Sequence, residues 1–290
     1  MIISRITSGL GNQLFQYAAA RHLALRNKTA VYVDLSYYNY TYQTDTPRAF
    51  KLGHFAVPFR VLQDSPYEYV SKATKLLPNR SLPPVFLFLK EKHFHFDERV
   101  VQARARFVTL DGFWQSEEYF RESAATIRQE LSLATTPSSE FASYEQLIKA
   151  TSVPVSVHIR RGDYVNHPEF SQTFGFVGLA YYEQALERIR EQVSEPRFFI
   201  FSDDQDWVRE NLKLPADAVF VKNTGPNSDV ADLVLMSRCR HHVIANSSFS
   251  WWGAWLNPNA DKTVITPKNW YKKQPTWNTK DLLPATWLSI

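Results

Sequence analysis

Cysteine is almost absent from this sequence: Cys239 is the single one in 290 residues. One cysteine excludes an internal disulfide framework and favours a reducing compartment. The sequence also lacks a run of about 18 apolar residues that could span a bilayer. Residues 1–6 are typical of a first β-strand and not of a signal peptide. We therefore expect a cytoplasmic protein. Internal repeats and low-complexity tracts are absent as well.

What the chain does contain is apolar and aromatic. Hydrophobic residues make up 44% of the sequence, enough for one large core or two ordinary ones, and two is the better expectation at this length. Aromatic residues reach 14%, and such side chains fill cores and also stack on sugar rings and bases. The net charge of +4 suits an anionic ligand or membrane surface, but it is too diffuse to indicate nucleic acid.

The second half of the chain alternates short apolar strands with helices, and this alternation predicts a parallel, doubly wound sheet. We expect strands over residues 155–159, 198–201, 218–221, 242–245 and 263–266, with helices over 181–193, 205–212, 229–239 and 248–256. The first half begins with a strand at 2–6, a helix at 12–27 and a strand at 30–35. It then loses its pattern until a predicted helix at 116–133 and a polar linker at 134–139. Two domains, 1–150 and 151–290, follow from this organisation.

The most informative segment is Val-Ser-Val-His-Ile-Arg-Arg-Gly-Asp-Tyr at residues 155–164. An apolar strand ends there in Arg160 and Arg161, at the sheet edge where parallel α/β proteins bind ligands. Two guanidinium groups suit a planar, multiply charged anion, of which diphosphate is the commonest. The alternative is that both arginines form ordinary ion pairs with Asp163 or another acid.

Two other predicted strands also end in polar residues. The strand at 198–201 is followed by Ser-Asp-Asp, and the strand at 242–245 leads into Ser247, Ser248 and Ser250. Serines at the start of a helix favour an anion because the first N–H groups are free there. The alternative is that Ser247 or Ser248 only caps the helix, and the two roles are compatible.

A glycine pair, Gly9 and Gly11, lies between the first strand and the first helix. With Asp34 at the end of the second strand, it suggests the fingerprint of an NAD-dependent oxidoreductase. However, Leu14 occupies the third glycine position, so the alternative is a plain strand–helix turn. That turn does not explain the two amides, Asn12 and Gln13, at the helix start.

Four motifs together resemble the α-1,2-fucosyltransferases of glycosyltransferase family 11. They are Gly-Leu-Gly-Asn-Gln-Leu-Phe-Gln-Tyr at 9–17, His-Ile-Arg-Arg-Gly-Asp-Tyr at 158–164, Phe-Ser-Asp-Asp at 201–204 and Ala-Asn-Ser-Ser-Phe-Ser-Trp-Trp-Gly-Ala at 245–254. The resemblance runs from residue 9 to about residue 257 and leaves residues 36–110 uncovered. It implies inverting transfer of L-fucose from GDP-β-L-fucose, without a metal or other cofactor, to O2 of a terminal β-galactoside in a glycan.

The resemblance also implies a fold of the GT-B type, with two Rossmann-like lobes. Residues 1–150 would form the acceptor-side lobe and residues 151–290 the GDP-fucose-binding lobe, whose last helix could pack back on the first lobe.

Individual roles follow from the same resemblance. Arg160 matches the arginine that grips the β-phosphate, where charge develops as the fucose bond breaks. Asp203 or Asp204 would accept from the guanine N–H groups. Asn12 would reach the phosphate or fucose from the other lobe. The expected catalytic residues are Arg160, Asp163 and Asn12. The expected donor-binding residues are Gly11, Asn12, Gln13, His158, Arg160, Arg161, Asp203, Asp204, Asn246, Ser247, Ser248 and Phe249.

Several questions stay open at this point. The tripeptide Asp204-Gln205-Asp206 matches a short metal-binding signature, but the arginines already supply countercharge. The general base is Asp163, His167, Glu169 or no side chain at all.

The fucosyltransferase has three further alternatives: an enzyme that transfers another sugar, one that transfers fucose to another position, and a non-catalytic carbohydrate-binding module. The acceptor would be an oligosaccharide or a lipid-linked glycan, and weak association with the inner membrane face could involve five basic residues. These are Lys72, Lys75, Arg80, Lys90 and Lys92.

Overall fold

A computed structural model describes residues 1–39, 48–62, 85–135, 138–272 and 277–290. The chain divides into two compact units. The first comprises Met1–Ala134 and Trp277–Pro284, and the second comprises Thr135–Thr276 and Ala285–Ile290. Lys72, Lys75 and Arg80 lie outside the described residues. Among the helices that are described, none is both long and apolar enough to cross a membrane.

The first unit is an α/β layer around a parallel sheet. Its described strands pair in the order β3-β2-β1-β5-β4. Helix α1 packs its alanines, Leu14 and Phe15 into the core, and these side chains are fully buried. The elements are β1 (Ile2–Arg5), α1 (Leu10–Arg26), β2 (Val31–Asp34), β3 (Arg60–Val61), β4 (Phe86–Lys90), α2 (Glu98–Val101), β5 (Phe107–Asp111) and α3 (Ala124–Glu130).

The continuous helix predicted for residues 116–133 is wrong. Two short 3-10 turns, Glu117–Tyr119 and Arg121–Ser123, precede α3. The side chain of Ser116 accepts from the Glu118 N–H and caps the first turn, while Phe120 adopts an extended φ of −146° between the two turns. A helical pattern in the sequence is therefore interrupted by a local cap and by one residue outside the helical region.

The second unit contains the sheet that the alternating pattern predicted. Its described strands are all parallel and pair in the order β11-β10-β9-β6-β7-β8. Its strands are β6 (Pro154–Ile159), β7 (Arg197–Ser202), β8 (Val219–Phe220), β9 (His241–Val243), β10 (Val264–Thr266) and β11 (Leu288–Ser289). Its helices are α4 (Ser139–Ala150), α5 (Gly162–Asn166), α6 (Pro168–Thr173), α7 (Leu179–Gln192), α8 (Gln205–Asn211), α9 (Ser228–Arg238) and α10 (Ser248–Leu256).

The division between the units lies before α4, whereas the sequence placed it after residue 150. Helix α4 begins where Ser138 accepts from the Phe141 N–H, and it packs against α9 of the second unit. Residues 277–284 group with the first unit, but the described part of the chain after Thr266 contains no helix.

Strand β6 lies at the centre of the second sheet, between β7 and β9. All six of its residues are buried, and its apolar side chains pack against the stripe Tyr182, Ala185, Leu186 and Ile189 of α7, as the helical spacing predicted. The end of β6 therefore lies between the ends of β7 and β9. The three polar motifs that follow these strands are brought to one edge of one sheet.

Candidate functional site

The Arg160 guanidinium is held between two carboxylates at the end of β6. Its Nη2 lies 2.7 Å from Oδ1 of Asp163, and its Nη1 lies 3.0 Å from Oδ2 of Asp203. The guanidinium also lies over the Tyr164 ring, 5.6 Å from the ring centre. Since 24% of the Arg160 side chain is still exposed, an anion can reach a guanidinium whose position is already fixed.

Gly162 is the residue that permits this arrangement. A Cβ at Gly162 would lie 2.5 Å from Oδ2 of Asp203, closer than any real side chain tolerates. The other Asp203 oxygen accepts from the Arg161 N–H at 2.9 Å. Gly162 therefore permits a close approach between the ends of two strands.

Arg161 has a different environment from Arg160. Its Nε lies 3.0 Å from Oδ2 of Asp204, and its guanidinium carbon lies 3.5 Å from the centre of the Trp207 ring. The other Asp204 oxygen caps α8 by accepting from the Trp207 N–H. Arg161 thus ties the end of β6 to the start of α8. Both arginines thus form the ion pairs that the alternative interpretation expected, and for Arg161 these contacts favour a structural role over the expected contact with the donor.

His158 is a buried, neutral imidazole beside Arg160. It is 5% exposed, and its ring centre lies 5.4 Å from that of Phe249. Burial, with a smaller contribution from the Arg160 charge, lowers the pKa of His158 to about 3. Its Nδ1 has no hydrogen-bond partner among the described residues. His158 is therefore an uncharged side chain at neutral pH, and its Nδ1 is buried.

The start of α10 carries the serine cluster. The Ser247 hydroxyl accepts from the Phe249 N–H at 3.3 Å, which confirms the capping interpretation. Ser250 instead donates to the Ala245 and Ser247 carbonyls. Ser248 and Phe249 are partly exposed. The tryptophans that follow are buried, so they anchor the helix while its first turn faces outward.

Asn246 braces the neighbouring loops. The residue is 1% exposed, and its Nδ2 donates to the carbonyls of Phe174 (3.2 Å), Gly175 (3.3 Å) and Trp270 (3.0 Å). The side chain that was expected to contact the donor is thus committed to the protein. The structure favours an indirect role, in which Asn246 holds the loops beside the site.

The two amides at the start of α1 are used differently. Gln13 is fully buried; its Nε2 donates to the Ser8 and Ala49 carbonyls and its Oε1 accepts from the Lys51 N–H. It therefore fastens a loop, and the structure favours this role over the expected contact with the donor. Gly11 is buried in the first turn of α1, and only its backbone could contact a ligand.

Asn12, by contrast, is partly exposed and is oriented by one contact. Its Oδ1 accepts from Nε2 of Gln115 at 2.8 Å. This contact fixes the orientation of the amide, and the Nδ2 of Asn12 is the group that is left as a donor for a ligand. This is the polarity that an anionic phosphate or a sugar hydroxyl requires.

The loop that carries Gln115 is tightly constrained. Both Glu91 oxygens accept backbone N–H groups, from Phe113 at 2.7 Å and from Trp114 at 3.0 Å. Trp114 has a φ of +56°, which is strained for a non-glycine residue, and Gly112 lies so close to Glu91 that a Cβ there would clash. Burial raises the pKa of Glu91. No sequence motif marks this loop, because its restraint comes from Glu91, at the end of a distant strand.

Asp34 does not have the environment of a ribose-binding acid. It is 2% exposed, and its Oδ1 accepts from the Ser36 N–H at 2.9 Å, which forms a local turn. The residue that supported the NAD-dependent alternative is thus explained by chain geometry.

One further carboxyl group of the second unit, that of Asp232, is not among the site residues expected from the sequence. Asp232, in the second turn of α9, is partly exposed, and burial raises its pKa to about 7. Its Oδ1 accepts from Nδ2 of Asn223 at 2.6 Å. Helices α9 and α10 pack closely where Gly253 meets Met236. Asp232 therefore belongs to a helix that is in contact with the helix of the serine cluster. Its helix also carries Asp229 and Arg238, so the sequence pattern does not single out Asp232.

Within the described residues, no group of three or more histidine, cysteine, aspartate or glutamate side chains is arranged to hold a metal ion. Asp204, part of the short metal-binding signature, is paired with Arg161 instead.

Comparison with known proteins assigns the class and the family of this chain, which is a glycosyltransferase. The family model described as glycosyl transferase family 11 matches residues 79–290. The chain belongs to this family. The recognition made from the four motifs is thereby confirmed.

Three relatives support the assignment, and the first two are of similar length to this chain. The chain is 30% identical over 302 residues to an alpha-1,2-colitosyltransferase of Escherichia coli, covering 100% of this chain and 99% of the relative. It is 29% identical over 304 residues to the O-antigen biosynthesis glycosyltransferase WbnK of Escherichia coli, with 99% of each chain covered. It is also 28% identical over 253 residues to galactoside alpha-(1,2)-fucosyltransferase 2 of Bos taurus, covering 85% of this chain and 66% of the relative.

A solved structure supports the fold. A mutant of Arabidopsis thaliana FUT1 in complex with GDP aligns with a TM-score of 0.52 at 10% identity, covering 93% of this chain and 71% of that chain. At this identity the likeness concerns the fold alone. It agrees with the two Rossmann-like units described above.

Proposed function

We propose that this enzyme transfers L-fucose from GDP-β-L-fucose, with inversion, to O2 of a terminal β-galactoside. The observation that carries the proposal is the fixed Arg160 guanidinium beside the start of α10, at the carboxyl edge of the second sheet. A relative named as a galactoside alpha-(1,2)-fucosyltransferase supports the linkage, and the GDP complex of the FUT1 structure supports the nucleotide.

In this mechanism the protein stabilises the leaving GDP. Negative charge grows on the β-phosphate as the sugar bond breaks, and Arg160 supplies a positive charge that needs no rearrangement. The free N–H groups at the start of α10, together with Ser247 and Ser248, supply further donors. We therefore propose that transfer is independent of metal ions and of other cofactors.

Asp163 was the nearest candidate for a general base. Its ion pair with Nη2 of Arg160 favours another role, in which Asp163 and Asp203 hold the guanidinium from two sides. Removing a proton with a carboxylate so engaged would weaken the clamp during the reaction. We propose a positioning role for Asp163, with His167 and Glu169 remaining as candidates for the base.

Recognition of guanine has three candidate carboxyl groups. Asp203 and Asp204 are each engaged by an arginine and by a backbone N–H. Among the described residues, Asp232 accepts a hydrogen bond from the Asn223 amide alone, and its helix α9 is in contact with α10. We propose that Asp232 accepts from the guanine N–H donors, and that Asp203 and Asp204 act mainly by fixing the arginines.

A colitosyl group is the second candidate for the transferred sugar. It is favoured by the Escherichia coli colitosyltransferase, which matches the whole of this chain at 30% identity. The nucleotide site described above would be unchanged, and only the sugar contacts would differ.

The direct test is product analysis. The enzyme is incubated with GDP-fucose or GDP-colitose and a panel of β-galactosides, with and without excess EDTA, and the products are examined by mass spectrometry and NMR. We expect an α-1,2-fucosyl product in both conditions. If only GDP-colitose gave a product, GDP-colitose would be the donor in place of GDP-fucose. Loss of activity in EDTA, restored by Mn²⁺, would contradict metal independence.

A further inference from the structure

A cavity of about 440 Å³ lies in the second unit, away from the residues assigned to the donor. Two loops form it: one joins α6 to α7, and the other follows β10. The walls include the rings of Phe174, Phe176 and Tyr271, and the polar lining includes Lys268, Asn269 and Lys272. A cavity of this volume can hold a sugar unit or a disaccharide.

The cavity is built by buried hydrogen bonds and does not depend on a ligand for its shape. Asn246 joins the two loops through the Phe174, Gly175 and Trp270 carbonyls. The Tyr181 hydroxyl, which lines the cavity, is close to the Ile244 and Ile265 carbonyls at 2.6 Å and 3.1 Å. These contacts fix both walls to the ends of β9 and β10.

The charged side chains of the lining are Lys268 and Lys272. The lining also includes Ile290, whose main-chain oxygen accepts from the Lys268 N–H at 2.7 Å. Lys268 and Lys272 are exposed, neither ammonium group has an ion-pair partner among the described residues, and no acidic side chain lines the cavity. Lys272 runs along the opposite loop, since its Cδ would lie 2.8 Å from a Cβ at Gly175. Gly175 has a φ of +65°, a backbone conformation that favours glycine.

The cavity is close to the donor site but distinct from it. Strand β10 lies two strands from β6, which corresponds to about 10 Å across the sheet. Phe176 connects the two regions, because its ring lies both in the cavity wall and 5.2 Å from the Arg161 guanidinium. A short saccharide could therefore extend from the donor site to a sugar unit bound in the cavity.

We propose that this cavity binds a negatively charged sugar unit. Aromatic rings stack on the apolar face of a pyranose, the Asn269 amide can bond its hydroxyls, and the two lysines select a charge. That the unit belongs to the glycan acceptor rests on the proposed function. The charge can come from a uronic acid carboxylate or from a sugar phosphate, which share the chemistry that the lysines recognise.

The test is calorimetric titration of the full chain without GDP-fucose. The probes are methyl β-glucuronide, galactose 1-phosphate, neutral methyl β-galactoside and inorganic phosphate. We expect one or both charged sugars to bind at least about tenfold more tightly than the neutral sugar and than phosphate alone. The double variant Lys268→Gln with Lys272→Gln should lose that preference and still bind GDP as the wild type does.

A matched control removes the same charge elsewhere, with Lys213→Gln and Lys222→Gln, two exposed lysines of the same unit. It should bind the charged sugars normally. Equal binding of charged and neutral sugars, or an unchanged preference in the cavity variant, would overturn the proposal. Phosphate binding as tightly as the sugar phosphate would overturn the sugar part. Because no transfer is measured, a failure of the proposed function leaves this result interpretable.

Discussion

The Arg160 guanidinium and the Asp203 carboxylate lie 3.0 Å apart and join the ends of two neighbouring strands, β6 and β7. Asp203 also accepts from the Arg161 N–H, so one carboxylate fixes both the backbone and the side chain at the end of β6. Its main effect is to place the positive charge on which the proposed chemistry depends.

The Gly162→Ala variant tests this placement. The added methyl group would meet Oδ2 of Asp203, so we expect the Arg160–Asp203 pair to be pushed apart and the transfer rate to fall by about tenfold or more. Steady-state kinetics on GDP-fucose measure the effect. The matched control is Gly53→Ala, where a Cβ meets nothing within 4 Å. Normal activity in both variants would show that the transfer rate does not depend on the close packing of residue 162 against Asp203.

Guanine selectivity separates the three aspartates. Asp232→Asn replaces one acceptor oxygen with a donor, so we expect the preference for GDP over ADP to fall by about 10²-fold while GDP keeps its diphosphate contacts. Asp203→Asn and Asp204→Asn should weaken GDP and ADP by similar factors. Competition assays with both nucleotides measure these ratios. A loss of selectivity confined to Asp203→Asn or Asp204→Asn would return guanine recognition to the strand end.

Gln115 tests the orientation of Asn12. In Gln115→Leu the Asn12 amide loses its fixed polarity, and we expect kcat/KM for the donor to fall by about tenfold, the value of one hydrogen bond. In Gln115→Glu a carboxylate attracts the Asn12 Nδ2, so the donor group turns away and the loss should be larger. Thermal unfolding checks that both variants are folded. Unchanged kinetics in both would mean that Asn12 does not contact the donor.

The contribution of His158 to stability should fall as the pH decreases below about 6.5. The pKa of His158 is lowered to about 3 by burial, so between these values the unfolded chain binds a proton that the folded chain does not. Each such histidine lowers the free energy of unfolding by up to about 1.4 kcal/mol per pH unit. Burial lowers the pKa of His242 in the same direction. Urea titrations between pH 7 and pH 5 measure the slope.

The matched variant for that slope is His158→Gln. We expect this variant to be less stable at pH 7. Its free energy of unfolding should depend less steeply on pH, because about one proton fewer is taken up on unfolding. An identical slope in the variant and the wild type would contradict the buried, neutral state of His158.

Much of the second unit could be predicted from its sequence, because apolar strands and one-sided helices there follow each other without interruption. Helix α10 matches its predicted bounds, and the polar residues after β6, β7 and β9 meet as expected. Side-chain roles were harder to predict. Gln13 and Asn246 are in the right motifs, but tertiary contacts with distant carbonyls decide what their amides do. Gln115 and Asp232 had no motif, since their importance comes from packing.

The charge at Arg160 is the central claim of this account. Calorimetric titration with GDP, paired with a fucosyl-transfer assay, on the wild type, Arg160→Ala and Arg160→Lys tests it most directly. We predict that Arg160→Ala abolishes transfer and weakens GDP binding by about 2–4 kcal/mol, and that Arg160→Lys is also poor because an ammonium group lacks the planar fork. Transfer by Arg160→Ala within a few-fold of the wild type would contradict the claim.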